Sequence, residues 1–174
     1  MKKLILFLIV LLLIPIVSAS TLKDYPDVFV KNNMLEVTIV VGDLATASDT
    51  IGAVEIAIAL QSEFFSNSQV NAVLASEIDD IKNQNLIVVG GPCANSVAAE
   101  LMKYPVDCTS LIKPNTGVIN IYNLGEFSTI LVAGSSATDT RRASTVLANY
   151  NDFDIPSSDS MEIINKQQKK VIIN

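Results

Sequence analysis

Three stretches of the chain share one pattern: an unbroken β-branched apolar run, a glycine, a short polar segment, then a helical repeat. They begin at Val37-Thr38-Ile39-Val40-Val41-Gly42, at Leu86-Ile87-Val88-Val89-Gly90-Gly91 and at Ile130-Leu131-Val132-Ala133-Gly134. Apolar β-formers without alternation predict strands buried on both faces, as in parallel sheets covered by helices. Thr46-Ala47-Ser48-Asp49 and Ser136-Ala137-Thr138-Asp139 carry the Ser/Thr-x-x-acid spacing of a helix start, where the hydroxyl and the acid satisfy free amides. Three such units predict an α/β fold with right-handed crossovers: a mainly parallel, twisted, doubly wound (Rossmann-like) sheet with flanking helices.

The helical segments differ in pattern. From Thr140 to Tyr150, Ala143, Val146, Leu147 and Tyr150 make an apolar stripe, with Arg141, Arg142 and Asn149 off it. From Ile51 to Leu60 the only charge is Glu55, and apolar residues surround the axis. Such a helix needs cover on most sides, so it is expected at the centre of the domain or against a partner. Antiparallel edges complete the predicted sheet. Val118 to Tyr122 and a strand from Ser128 form a hairpin around the loop Asn123 to Phe127. A second pair is Glu162-Ile163-Ile164 with Val171-Ile172-Ile173, separated by a lysine- and glutamine-rich stretch that discourages edge pairing. Asn151 to Ser160 reads as a connector.

The N-terminus has a different design. Lys2 and Lys3 precede an uninterrupted apolar run from Leu4 to Val17, followed by Ser18-Ala19-Ser20. This is the layout of a secretory signal peptide over residues 1–19, cut after Ala19, and the run is shorter than the roughly 20 residues a spanning helix needs. A single domain over residues 20–174, without a membrane span after cleavage, is expected. Loss of the two lysines takes the formal charge from −6 to −8.

Composition then narrows the chemistry. The chain has no His, no Trp and two Cys. Ser-His and Cys-His nucleophile pairs, imidazole zinc sites and iron–sulfur clusters are therefore excluded, and no cofactor or metal is expected. An acidic chain with no basic tract also argues against nucleic acid. In an oxidising compartment, Cys93 and Cys108 are expected to form a disulfide, tying the start of the second helix to the loop before Val118. Closing a loop of about 15 residues is worth on the order of 3 kcal/mol.

Several strings, taken together and in order, resemble a known family. They are Asp24-Tyr25-Pro26 with Phe29-Val30, VVGDLATASDTIGA from Val40, NLIVVGGPCANSVAAEL from Asn85, and LVAGSSATDTRRASTVLANY from Leu131. The set is similar to the α/β domain of archaeal surface-layer (S-layer) proteins, over most of residues 24–150. That resemblance implies a non-enzymatic structural role in the cell envelope, with self-association or other envelope proteins as partners. It also implies the same pairing of Cys93 with Cys108. Full lattice proteins of this type are longer and carry additional domains, so the resemblance covers one α/β unit of such an assembly.

A second reading is a secreted module that binds a sugar or nucleotide-like ligand at the carboxyl edge of the sheet, where doubly wound folds place ligands. Gly42, Asp43, Gly90, Gly91, Gly134, Asp139 and Arg141 are the candidate ligand or interface residues there. No loop has the Gly-x-Gly-x-x-Gly or P-loop pattern, and glycine after a strand often serves only a tight turn. Asp79 and Asp80 are adjacent, which suits neither an acid/base pair nor a calcium site.

Overall fold

A computed structural model describes residues 19–164. The apolar run Leu4 to Val17 and the expected strand Val171 to Ile173 lie outside the described residues. Seven strands, β1 (Val30–Lys31), β2 (Met34–Val41), β3 (Ser68–Leu74), β4 (Leu86–Val89), β5 (Thr116–Leu124), β6 (Phe127–Gly134) and β7 (Ser160–Ile164), form one sheet. The helices are α1 (Ala47–Phe64), α2 (Ser96–Leu101) and α3 (Ala137–Ala148). Across the sheet the order is β3, β2, β4, β6, β5, β7, with the two-residue β1 beside the start of β2.

The expectation of a mainly parallel, doubly wound sheet with flanking helices is corrected by this topology. The sheet is mixed and curls into a half-barrel, with few helices. The pairs β2·β3, β2·β4 and β4·β6 are parallel, while β1·β2, β5·β6 and β5·β7 are antiparallel. The cause lies in β5. Its hairpin with β6 is the expected one, but β7 then pairs antiparallel on its far side, so the half of the sheet beyond β6 is antiparallel. Leu124 pairs with Phe127, leaving a two-residue turn at Gly125 (φ 75°) in place of the expected five-residue loop.

The unbroken apolar runs do become the buried centre. Leu86, Ile87, Val88 and Val89 are all fully buried, as are Ile130 through Ala133. Their side chains divide by parity. Ile39, Ile87, Val89, Ile130 and Val132 join the core under α1 and α3, while Val40, Val88, Leu131 and Ala133 join the opposite one with Val97, Ala98 and Leu101 of α2. The two faces are covered unequally. One carries both long helices and the N-terminal turns through Leu22, Tyr25 and Phe29; the other has the six-residue α2 and loop residues such as Ile81 and Ile112.

Of the two placements expected for the helix from Ile51, at the centre of the domain or against a partner, the central one is not found. α1 lies on the sheet against α3 and buries Gly52, Ala53, Ile56 and Leu60. Ile51, Val54 and Ile58 stay 46%, 49% and 58% exposed. Strand β3 had no clear sequence signal, because Ser68, Gln69 and Asn71 dilute its apolar residues and it covers only one edge of β2.

Candidate functional site

The three strand-to-helix turns meet at the carboxyl ends of β2, β4 and β6. Gly42 follows β2, and a Cβ there would lie 2.2 Å from the Ala94 carbonyl oxygen. At Gly134 a Cβ would lie 2.2 Å from the Thr140 amide nitrogen. Gly42 lets its turn pack directly on the turn after β4, and Gly134 lets the first turn of α3 fold back closely on the end of β6. Gly90 has φ 116°, which favours glycine. A Cβ added at Gly91 would lie 3.6 Å from the Gly134 carbonyl oxygen, an ordinary contact distance.

Each helix start is satisfied by its own chain. The Thr46 amide and hydroxyl both donate to the Asp49 carboxylate at 3.0 Å. At α3, the Ser136 hydroxyl accepts from the Asp139 amide at 3.2 Å and donates back to its carboxylate at 2.7 Å. Both helix starts predicted from Ser/Thr-x-x-acid spacing are therefore found. Ser135 also donates to Asp139, and Arg142 sits 2.9 Å away. Burial pushes the Asp139 carboxyl up, but the hydrogen bonds from Ser135 and Ser136 and the charge of Arg142 outweigh it and hold the group below its ordinary range.

Asn95 is the residue that sequence reading missed. It is 1% exposed; its side-chain oxygen accepts from the Val97 and Ala98 amides, and its nitrogen donates to the Val40 and Val89 carbonyls. One side chain thus caps α2 and ties down the ends of β2 and β4. An asparagine before Ser-Val-Ala-Ala is a readable cap signal. Its second role requires strands 55 and 6 positions away, which no local pattern contains.

The other candidates are scattered. Asp43 takes the amide and hydroxyl of Ser76, fixing the turn after β3. Arg141 points away from the glycine turns and grips Glu55 of α1. The Cys93–Cys108 disulfide is present, with Cα atoms 5.2 Å apart, and joins the turn before α2 to the loop before β5. It walls a cleft of about 170 Å³ with Thr46, Asp49, Gly91, Ser136 and Thr140. Drug-sized ligand pockets usually span about 300–1,000 Å³. The two helix ends that would attract an anion already hold Asp49 and Asp139. Among the described residues no three potential metal ligands cluster, and no helix is long and apolar enough to cross a membrane.

The solved structure of CpGH84D is similar with a TM-score of 0.44 and 12% identity, covering 72% of this chain and 19% of that one. The chain thus spans about a fifth of that protein, and the likeness carries no functional argument. No curated protein matches in sequence. The family described as "S-layer like family, outer domain" matches over residues 21–79 and 71–151. Those segments take in the N-terminal turns, the sheet through β6 and all three helices, and family membership points to a structural role at the cell surface. Over most of its length, then, this chain is a member of the S-layer like family, outer domain.

Proposed function

We propose that the chain is a non-enzymatic structural protein of the archaeal cell envelope, exported by cleavage after Ala19 and acting as one domain over residues 20–174. It works by associating with itself or with other envelope proteins. The observation that carries this reading is the family match across residues 21–151. Two features support it. Asp49 and Asp139 beside the glycine turns are engaged in helix caps, and a chain without histidine lacks the imidazole base of Ser-His and Cys-His pairs. The disulfide suits an exported protein.

Fractionation of native cells tests the proposal, with the chain expected in the envelope fraction and its mass matching a start at Ser20. Broad hydrolase panels should show no turnover. A monomeric chain found only in the medium, which bound a sugar or nucleotide at micromolar concentration and lost that binding on substitution of Gly91, would replace this reading with a ligand-binding one.

A further inference from the structure

The outward face of α1 carries a feature that the fold does not use. Ala47, Ile51, Val54, Ile58 and Gln61 follow one another at alternating spacings of four and three, and Phe65, 86% exposed, continues the series just past the helix end. This is the seam spacing of helices that pack along their length on other helices. The buried residues Gly52, Ala53, Ile56 and Leu60 occupy the opposite side, so the seam faces away from the sheet.

Charge is missing from this face. The exposed residues of α1 are Ala47, Thr50, Ile51, Val54, Ile58, Gln61, Ser62 and Glu63, and only the last is ionisable. Its carboxylate accepts from the Tyr150 hydroxyl on the α3 side. Glu55 likewise turns to α3 and is taken by Arg141. Surface helices normally place charged residues opposite their buried stripe. Here the net charge of −6 is carried elsewhere, leaving a neutral apolar strip on an acidic molecule.

We infer that α1 is the interface between two copies of this chain, packed seam to seam and antiparallel about a two-fold axis. The inference rests on the envelope-assembly reading and names its surface. Three arguments select a second copy as occupant. The seam spacing calls for a helix, and α1 supplies the matching one. Two acidic molecules repel except where they meet through uncharged surface, and this strip is uncharged. The area also suffices: the exposed parts of Ile51, Val54, Ile58 and Phe65 amount to on the order of 400 Å² per copy, typical of a functional patch. Covering Thr50, Gln61 and Ser62 as well takes the pair past the roughly 1,000 Å² a specific interface needs. Antiparallel packing opposes the helix dipoles and sets Val54 against Ile58 of the second copy.

The purified chain should show a concentration-dependent dimer in sedimentation equilibrium. Val54→Glu and Ile58→Glu should each weaken dimerisation at least tenfold while leaving thermal unfolding of the monomer unchanged, because both side chains already face water. A photo-crosslinking residue at position 61 should capture the Ile51 region of a second copy. A chain monomeric at all concentrations, or a dimer indifferent to both glutamates, overturns the inference. So does a crosslink from position 61 to a different envelope protein, although that result would leave the envelope reading standing. Absence of the chain from the envelope fraction would sink the envelope reading, and with it the basis of this one.

Discussion

Arg141 and Glu55 stand 86 positions apart and join α3 to α1 through a two-point contact, with Arg141 Nε donating to Glu55 Oε2 at 2.9 Å and Nη2 donating to Oε1. The fork geometry of a guanidinium suits this pairing, which a lysine would not reproduce. Thr145 adds its hydroxyl to the same carboxylate at 3.2 Å. The contact explains why Arg141 is absent from the glycine turns. It is a strut between the two long helices.

Both partners are about one-third exposed, so solvent screening limits the energy of the pair. Arg141→Ala is expected to cost about 1 kcal/mol, and a double-mutant cycle with Glu55→Ala should return a coupling of about 0.5–1 kcal/mol that shrinks in molar salt. Chemical denaturation of the four proteins measures it. Zero coupling at low salt would show that the contact does not hold the helices.

Gly52 tests the closeness of the same two helices. A Cβ there would lie 2.5 Å from the Ser144 hydroxyl oxygen and 2.8 Å from its Cβ. Alanine in a helix interior ordinarily gains about 1 kcal/mol over glycine. At this site Gly52→Ala should instead destabilise by about 1–3 kcal/mol through overpacking, and Ser144→Gly should recover part of the loss. A stabilised Gly52→Ala protein would mean that the helices separate freely.

Asn95→Ala should be among the costlier single changes. It removes the cap on α2 and strands the Val40 and Val89 carbonyls in a buried place, for an expected loss of about 2–3 kcal/mol. Asn95→Asp keeps the acceptor but loses both donated bonds, and should fall between the two in thermal unfolding.

Asp139 gives the fold a pH dependence of defined sign. Its folded-state pKa is lowered, so its contribution is fully present above the unfolded value near 3.9 and is lost as pH falls from there through the folded value. Asp139→Asn should lower stability at pH 7 by about 1–2 kcal/mol, and the variant should lose less than the parent as pH falls below about 4. Parallel acid limbs in the two proteins would remove Asp139 from this role.

Reduction of Cys93–Cys108 releases a closed loop whose ends are 15 positions apart. The expected loss is on the order of 3 kcal/mol, read as a lower unfolding midpoint in dithiothreitol. An unchanged midpoint after verified reduction would make the bond dispensable for folding.

What the sequence determined by itself was local. The runs at Val37, Leu86 and Ile130 announced buried strands because uninterrupted β-branched residues have few other stable placements, and Thr46 and Ser136 announced helix starts because caps act over three residues. Family membership was legible too, since it resides in the order of short strings. Tertiary structure decided the rest. Parallel or antiparallel pairing depends on where each crossover returns the chain: the Gly-containing turn marked the hairpin of β5 with β6, but nothing local marked β7 as the strand that pairs on the far side of β5. Likewise, Ile51, Val54 and Ile58 are the same residue types as Ile56 and Leu60, and only packing against the sheet and α3 selects which side of α1 is covered. Asp139 and Arg141, two positions apart, lie 200° apart around a helix axis, so one turns into its own cap and the other across to Glu55.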